Sequence, residues 1–431
     1  MKMEKRLSVA LSLLLVLVTL FPVCLASAAS DAPKTEMVLL MTTGDASKPV
    51  RDIVEANMRE FNENNEFNTS ITMELLESEQ YKTKIATLMA ANAQPDIFWT
   101  FEGGFLRPFV NGGKVYPIGD AIEKDAEWSA RFLDGVFDPL TFDGKIYGVP
   151  STLQCGIMYY NARLFAEHDL SEPATWDEFL KVCETFKSAG IIPISMPSER
   201  SWIASQLLQE ICNGVGGVDL FNAIQNGETT WDDERFIKAG EVFQDLVSKD
   251  YFQRGFLGMS NDQGRDMFKN EEAAMYFMGN WDNNSVSDPA FPLGENVNMF
   301  KLPAYDPQNS GAILGSVGSC FGISATAKNV DAASAFLKML SDPQNQEKLL
   351  YEANTNVVTN IDIDESKLNT LTAKTQQILG ATTNLTPWYD RVFGAGEGTE
   401  FNNIAIAIAA GENPAEQMKE LENFAIANGA R

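Results

Sequence analysis

The chain has 431 residues, room for more than one domain at the usual size of about 100–200 residues. Hydrophobic residues make up 45% and charged residues 21%, which excludes wholesale disorder. Asp plus Glu total 59 against 33 Lys plus Arg, a net charge of −26, which argues against the clustered basic surface that nucleic acid or anionic lipid requires.

The first residues read as an export signal. Lys2, Lys5 and Arg6 precede the uncharged, mostly aliphatic run Leu7–Leu20, and Ala26-Ser27-Ala28 supplies a small-x-small cleavage pattern. Cleavage after Ala28 makes residues 1–28 a signal peptide, and Pro22 with the acidic chain beyond it favours this over an uncleaved anchor. Cys24 offers a lipidation site, but Val23 stands where bacterial lipoprotein signals want a small residue. The expected location is outside the cytoplasmic membrane, in a periplasm or on the membrane's outer face.

Beyond the signal, strands and helices alternate. Met37–Thr42 predicts a buried strand, and Val50, Ile53, Val54, Met58 and Phe61 mark one helical face. Ile71, Met73 and Leu75 alternate as a strand. Ser78 is the expected cap of a helix presenting Tyr81, Ile85, Leu88 and Met89, and Ile97-Phe98-Trp99 opens a third strand. Lys145–Val149 and Gly156–Tyr160 predict two further strands. Thr175-Trp176-Asp177-Glu178 is a capping box before a stripe of Phe179, Leu180, Cys183 and Phe186. Ile191–Ile194, Ala273–Met278 and Val297–Leu302 read as strands, Ala332–Leu340 as a helix, and residues 365–431 as mostly helical. The β-α-β-α-β order predicts an α/β protein with a mostly parallel sheet, and no repeat of 20–50 residues points to a solenoid.

Catalytic and metal motifs are sparse. The single histidine, His168, excludes sites needing two imidazoles and reads as a surface or capping residue. Cys155, Cys183, Cys212 and Cys320 show no zinc spacing and read as buried small hydrophobes. Gly394-Ala395-Gly396-Glu397-Gly398 has no leading strand and no phosphate-loop lysine, so it reads as a loop, and Gly214–Gly217 fails the same test. No cofactor is expected.

A resemblance enters through Phe142-Asp143-Gly144-Lys145-Ile146-Tyr147-Gly148-Val149-Pro150, then Met158–Asn161, Leu164-Phe165 and Pro173–Phe179. Gln94–Trp99, Ala273–Met275, Gly279–Trp281 and Gly322–Ser324 follow the same order. This string resembles extracellular solute-binding protein family 1, the sugar-capturing subunits of ABC importers. The resemblance implies a two-lobed periplasmic-binding-protein-like fold, each lobe a sheet flanked by helices. The first lobe would take residues 30–153 and 304–345, the second 154–303 and 346–431. It implies a monomeric binding protein and no enzyme: a sugar or oligosaccharide is captured between lobes that close on a hinge, then handed to a membrane permease.

Ligands of open α/β sheets collect beyond the carboxyl ends of strands, which places Asp45, Trp99 and Glu102 at a cleft. The resemblance assigns sugar contact to the same three. Asp45 fits a helix cap equally well. Gln154 falls on the crossing strand where the family has a ligand-contacting carboxylate. Trp202 follows the Ile191–Ile194 strand together with Ser198 and Glu199. Asn280, Trp281 and Asp282 match the loop of a stacking aromatic, and Trp388 with Tyr389 an aromatic pair in the last helices. Rings for the C–H face of a pyranose and acceptors for its hydroxyls suit such a ligand. Trp128, Trp176 and Trp231 are expected in the core. The competing readings are a secreted carbohydrate-active enzyme, which needs two carboxylates across a cleft, and a binder of a non-sugar such as a polyamine, a peptide or iron.

Overall fold

The apolar run Met37–Thr42 falls in β1 (Thr35–Thr42), and the alternating segment after it forms β2 (Thr69–Leu76). A computed structural model describes residues 33–43 and 48–429; the expected signal peptide over residues 1–28, Cys24 within it and Asp45 lie outside the described residues. The remaining strands are β3 (Ile97–Thr100), the hairpin β4 (Thr141–Phe142) and β5 (Lys145–Ile146), β6 (Val149–Asn161), β7 (Ile192–Ser195), β8 (Ala273–Gly279), β9 (Val297–Phe300), β10 (Ala312–Ile323), β11 (Asn356–Val357) and β12 (Asn384–Thr386). Strands β2, β1 and β3 pair in parallel, as the βαβ pattern predicts, and β7 and β8 do the same further along. Thr35–Arg431 is one unit by its contacts, and all that follows concerns it.

Two long strands join these parallel groups. The 13-residue β6 and the 12-residue β10 run antiparallel to each other, with Gly315 opposite Cys155, Ser316 opposite Gln154 and Val317 opposite Leu153. The far end of β10 pairs with β3, and the far end of β6 pairs with β8 and β9. The expected break between Lys145–Val149 and Gly156–Tyr160 is therefore absent, since Val149–Asn161 is one continuous strand. β10 reads Ala-Ile-Leu-Gly-Ser-Val-Gly-Ser-Cys-Phe-Gly-Ile, too rich in glycine and serine to show alternation.

Side chains on the two sides of this crossing pack into separate cores. One gathers Met37, Phe98, Val149, Val317, Phe321 and Phe336; the other gathers Cys155, Tyr159, Phe179, Ile211, Trp231, Tyr276, Ile313 and Tyr389. The sorting changes between Leu153 and Cys155 on β6 and between Ile313 and Val317 on β10. A smaller cluster joins Ile53 to Leu349, Leu350, Ala353 and Val357. This is the two-core α/β arrangement that the motif order implies.

Local signals behave as their chemistry requires, with two exceptions. The capping box forms: Glu178 N–H donates to Thr175 Oγ1 at 3.2 Å, and Thr175 N–H donates to Glu178 Oε2 at 3.2 Å. Trp128, Trp176 and Trp231 are buried, and His168 sits at the C-cap of the helix Ala162–Glu167 with its ring against the edge of Phe186. Ser78 is not a cap. Glu77 takes that position and accepts from Glu79 N–H at 3.0 Å, a carboxylate being favourable at a helix N-terminus. Gly394–Gly398 lies in the helix Gly394–Ala409, where Glu397 accepts from Trp231 Nε1 and Phe401 packs on Tyr389; this packing overrides the poor helix propensity of glycine. The four described cysteines are free and buried, and burial pushes every one of these thiols above its ordinary range.

Glu210, in the helix Ser201–Gln225, is buried against β10. Its carboxylate accepts from Leu314 N–H at 2.8 Å and from Asn213 Nδ2 at 3.3 Å. Burial pushes its pKa from 4.5 to about 7, against the pull of Lys301, the Leu314 N–H and Asn213. A raised carboxyl pKa means that the folded chain holds the proton more tightly. This contribution is complete below the unfolded value near 4.5 and is lost as pH rises through about 7. Glu210→Gln should therefore raise stability above pH 7 by up to about 3 kcal/mol, and leave it nearly unchanged below pH 4.5. Melting temperatures of both proteins across that range test this; a gap independent of pH would refute it.

Candidate functional site

The ends of three strand systems converge where the two cores meet. β3 ends at Thr100 and leads through Phe101 and Glu102 into a short 3-10 helix, Gly103–Phe105, and then the helix Arg107–Asn111. β8 ends at Gly279 and turns through Asn280-Trp281-Asp282. β6 and β10 cross between them. A cavity of about 790 Å³ occupies this junction, lined by residues of both cores. One wall carries Trp99, Phe101, Phe105 and Phe109. The other carries Trp202, Gln206, Asn261, Arg265 and Trp281. The crossing strands contribute Thr152, Leu153, Gln154, Gly318 and Ser319.

The cavity gathers five of the expected residues. Trp99, Gln154, Trp202, Asn280 and Trp281 all line it. Trp281 packs 6.1 Å from Trp202 and 6.2 Å from Trp388, ring centre to ring centre. Its ring folds back over Gly279, where any β-carbon would collide with it. Backbone freedom is not what requires glycine here, for φ is −104°. Gln154 lies over Gly318 in the same way. Asn280 is tied to the crossing: its Oδ1 accepts from Cys155 N–H at 3.0 Å and its Nδ2 donates to Leu153 O at 3.2 Å.

Four other expected residues stand behind the wall. Asp282 is 1% exposed and accepts from Arg265 Nε at 2.8 Å and Tyr276 OH at 3.0 Å, so it orients Arg265, which does reach the cavity. Trp388 is fully buried and backs Trp281. Tyr389 is a core ring stacked on Phe221 at 5.9 Å. Glu102 is fully buried and meets the Arg391 Nη1 with both oxygens at 3.3 Å. Burial pushes the Glu102 carboxyl above its usual range, while Arg391 and Ser316 pull it the other way. The Arg391 guanidinium lies 3.9 Å from the Trp388 ring centre and 4.3 Å from that of Phe101, so it joins the two walls.

The cavity's electrostatics are largely balanced from within. Its four cations each meet a carboxylate: Lys82 with Glu79 at 3.0 Å, Arg200 with Glu77 at 2.6 Å, Arg265 with Asp282 at 2.8 Å and Arg391 with Glu102 at 3.3 Å. Three buried polar atoms on the lining have no protein partner: Thr152 Oγ1, Gln206 Oε1 and Asn261 Oδ1. A buried polar atom without a partner is costly, so these atoms favour a ligand carrying hydrogen-bond donors. None of the four cations, nor Gln206, Asn261 or the phenylalanines, stands out in the sequence. Charged residues and scattered phenylalanines carry no motif, and their convergence depends on segments far apart in the chain.

A family model for bacterial extracellular solute-binding proteins matches residues 45–347. The chain belongs to this family. A solved structure described with xylan utilization by the thermophilic bacterium Caldanaerobius polysaccharolyticus is 28% identical, covers 90% of this chain and 99% of its own, and superposes with a TM-score of 0.83. The multiple sugar-binding protein of Streptococcus mutans is 26% identical over 211 residues, 47% of this chain and 49% of its own length. An ABC transporter extracellular-binding protein of Pyrococcus horikoshii is 24% identical over 268 residues, 62% of this chain and 58% of its own. The chain thus spans about half the length of these curated relatives. Family and neighbours are binding proteins. Among the described residues no helix is long and apolar enough to cross a membrane.

Proposed function

We propose that this protein is the exported substrate-binding subunit of an ABC importer, which captures a neutral sugar between two lobes and hands it to a membrane permease. The observation that carries this reading is one cavity that combines partly exposed rings with unpartnered hydroxyl and amide oxygens. A pyranose has the matching chemistry: a C–H face for Trp281 and a rim of donors for Gln206, Asn261 and Thr152. The lobes are residues 30–153 with most of 304–345, and residues 154–303 with most of 346–431; Ile313 packs with the second core, while Val358 packs in the first and Leu349, Leu350 and Val357 pack on Ile53. The hinge lies where β6 and β10 cross, since core membership changes there on both strands. A ligand touching both walls favours closure by its differential affinity for the closed form. The subunit works as a monomer, on the outer face of the cytoplasmic membrane or in a periplasm, with lipidation of Cys24 the alternative to cleavage after Ala28.

A polyamine is the competing reading, because the four cations of the lining are each matched by a carboxylate while Glu199 and Asp390 line the cavity as well. A thermal-shift screen of mono- and oligosaccharides tests the reading, since a ligand that binds only the folded state raises the melting temperature. Stabilisation by polyamines with no response to any saccharide would overturn it. Release of shortened sugar products would instead establish an enzyme. For the saccharide that binds, Gly279→Ala should weaken affinity by about tenfold, near 1.4 kcal/mol, because the new methyl displaces the Trp281 ring. Calorimetric affinity equal to that of the unaltered protein would show that the ring position is unimportant.

A further inference from the structure

Phe105 and Phe109 lie one helical turn apart, both partly exposed, with ring centres 5.7 Å from each other, and both line the cavity. They differ from Phe101, whose ring carries the Arg391 guanidinium at 4.3 Å and serves as a support. A phenylalanine has no polar atom, so these two rings offer nothing to a hydroxyl and everything to a C–H face. On the opposite wall Trp202 and Trp281 form a second pair of partly exposed rings, 6.1 Å apart. The unpartnered atoms Gln206 Oε1 and Asn261 Oδ1 belong to that second wall. One wall therefore combines rings with unpartnered hydrogen-bonding groups, while on the other the Phe105 and Phe109 rings stand in a lining whose charged members Glu79 and Lys82 are already paired with each other.

A single pyranose has two faces and cannot cover two such ring pairs. The cavity volume of about 790 Å³ lies toward the upper end of the range of roughly 300–1,000 Å³ for small-molecule sites, ample for several linked rings. The matched cations leave no unsatisfied charge for an acidic sugar to neutralise. Resting on the sugar reading above, we propose that Phe105 and Phe109 form a length-reading subsite, so that the preferred ligand is a linear, uncharged oligosaccharide of three or more pyranose units. One unit is held by its hydroxyls beside Trp281, and the following units lay their C–H faces along Phe105 and Phe109.

Calorimetric titration of the protein with ladders from monosaccharide to hexasaccharide, in xylo-, gluco- and N-acetylglucosamine series, tests this. In the series that binds, affinity should rise about tenfold or more from the disaccharide to the tetrasaccharide. Phe105→Leu and Phe109→Leu, which keep apolar packing but remove the ring face, should cut the ratio of tetrasaccharide to disaccharide affinity by about tenfold. Trp281→Ala should weaken every length and leave that ratio nearly unchanged. Affinity independent of length, or a leucine variant that weakens all lengths alike, overturns the length-reading role while the sugar reading stands. Failure of every ladder to bind overturns the length-reading role, and joined to no response to any saccharide in the thermal-shift screen it overturns the sugar reading as well.

Discussion

Glu102→Ala should destabilise the protein by about 3–5 kcal/mol, the usual cost of removing one partner of a buried ion pair. Glu102 is fully buried, and Arg391 is held between the rings of Phe101 and Trp388 with both carboxylate oxygens facing it. Truncation leaves a guanidinium that can neither deprotonate nor easily leave that slot. The double variant Glu102→Ala with Arg391→Ala should recover part of the loss, because no unpaired charge then remains. The exposed-side pair Glu77–Arg200, whose side chains are 38% and 30% exposed, is the control: Arg200→Ala, which leaves the Glu77 helix cap in place, should cost less than about 1 kcal/mol. Urea unfolding of the four proteins reads these differences. A loss below about 1 kcal/mol for Glu102→Ala would show that the ion pair does not hold the walls together.

Trp281→Ala should weaken sugar binding by about 2–4 kcal/mol, the range for a central aromatic anchor. The ring is partly exposed, stands between Trp202 and Trp388, and covers Gly279. Because water already reaches it, its removal should lower the melting temperature far less than Trp231→Ala. Trp231 is fully buried among Phe236, Tyr389 and Phe401, and its loss should cost about 3–5 kcal/mol of stability. Calorimetric affinity and melting temperature on the two variants separate the roles. If Trp281→Ala melts like Trp231→Ala and the folded fraction binds normally, Trp281 is a core residue and the sugar lies elsewhere.

By itself, the sequence determined what depends on near neighbours. Apolar runs gave β1, β3, β8 and β9, and the alternation of Ile71, Met73 and Leu75 gave β2, because a strand needs only its own few residues to be recognised. The Thr175–Glu178 box was legible for the same reason, since both partners lie within one turn. The order of motifs carried the family and the two-core α/β plan; strand ends singled out Trp99 and Trp202, and the resemblance singled out Trp99, Gln154, Asn280 and Trp281, all of which line the cavity. The tertiary structure decided what depends on distant segments. Trp281 and Trp388 look alike as aromatics near turns, yet one lines the cavity and the other is sealed behind it, because Trp281 from a distant segment packs against the second ring. Asp282 and Glu102 look like ligand acceptors, but each is engaged by an arginine that no local pattern links to it. The phenylalanine face at Phe105 and Phe109 becomes a wall only when β3 is set beside β10 and the second core closes opposite. Burial and pairing are properties of that assembly, and a residue's near neighbours in sequence do not contain them.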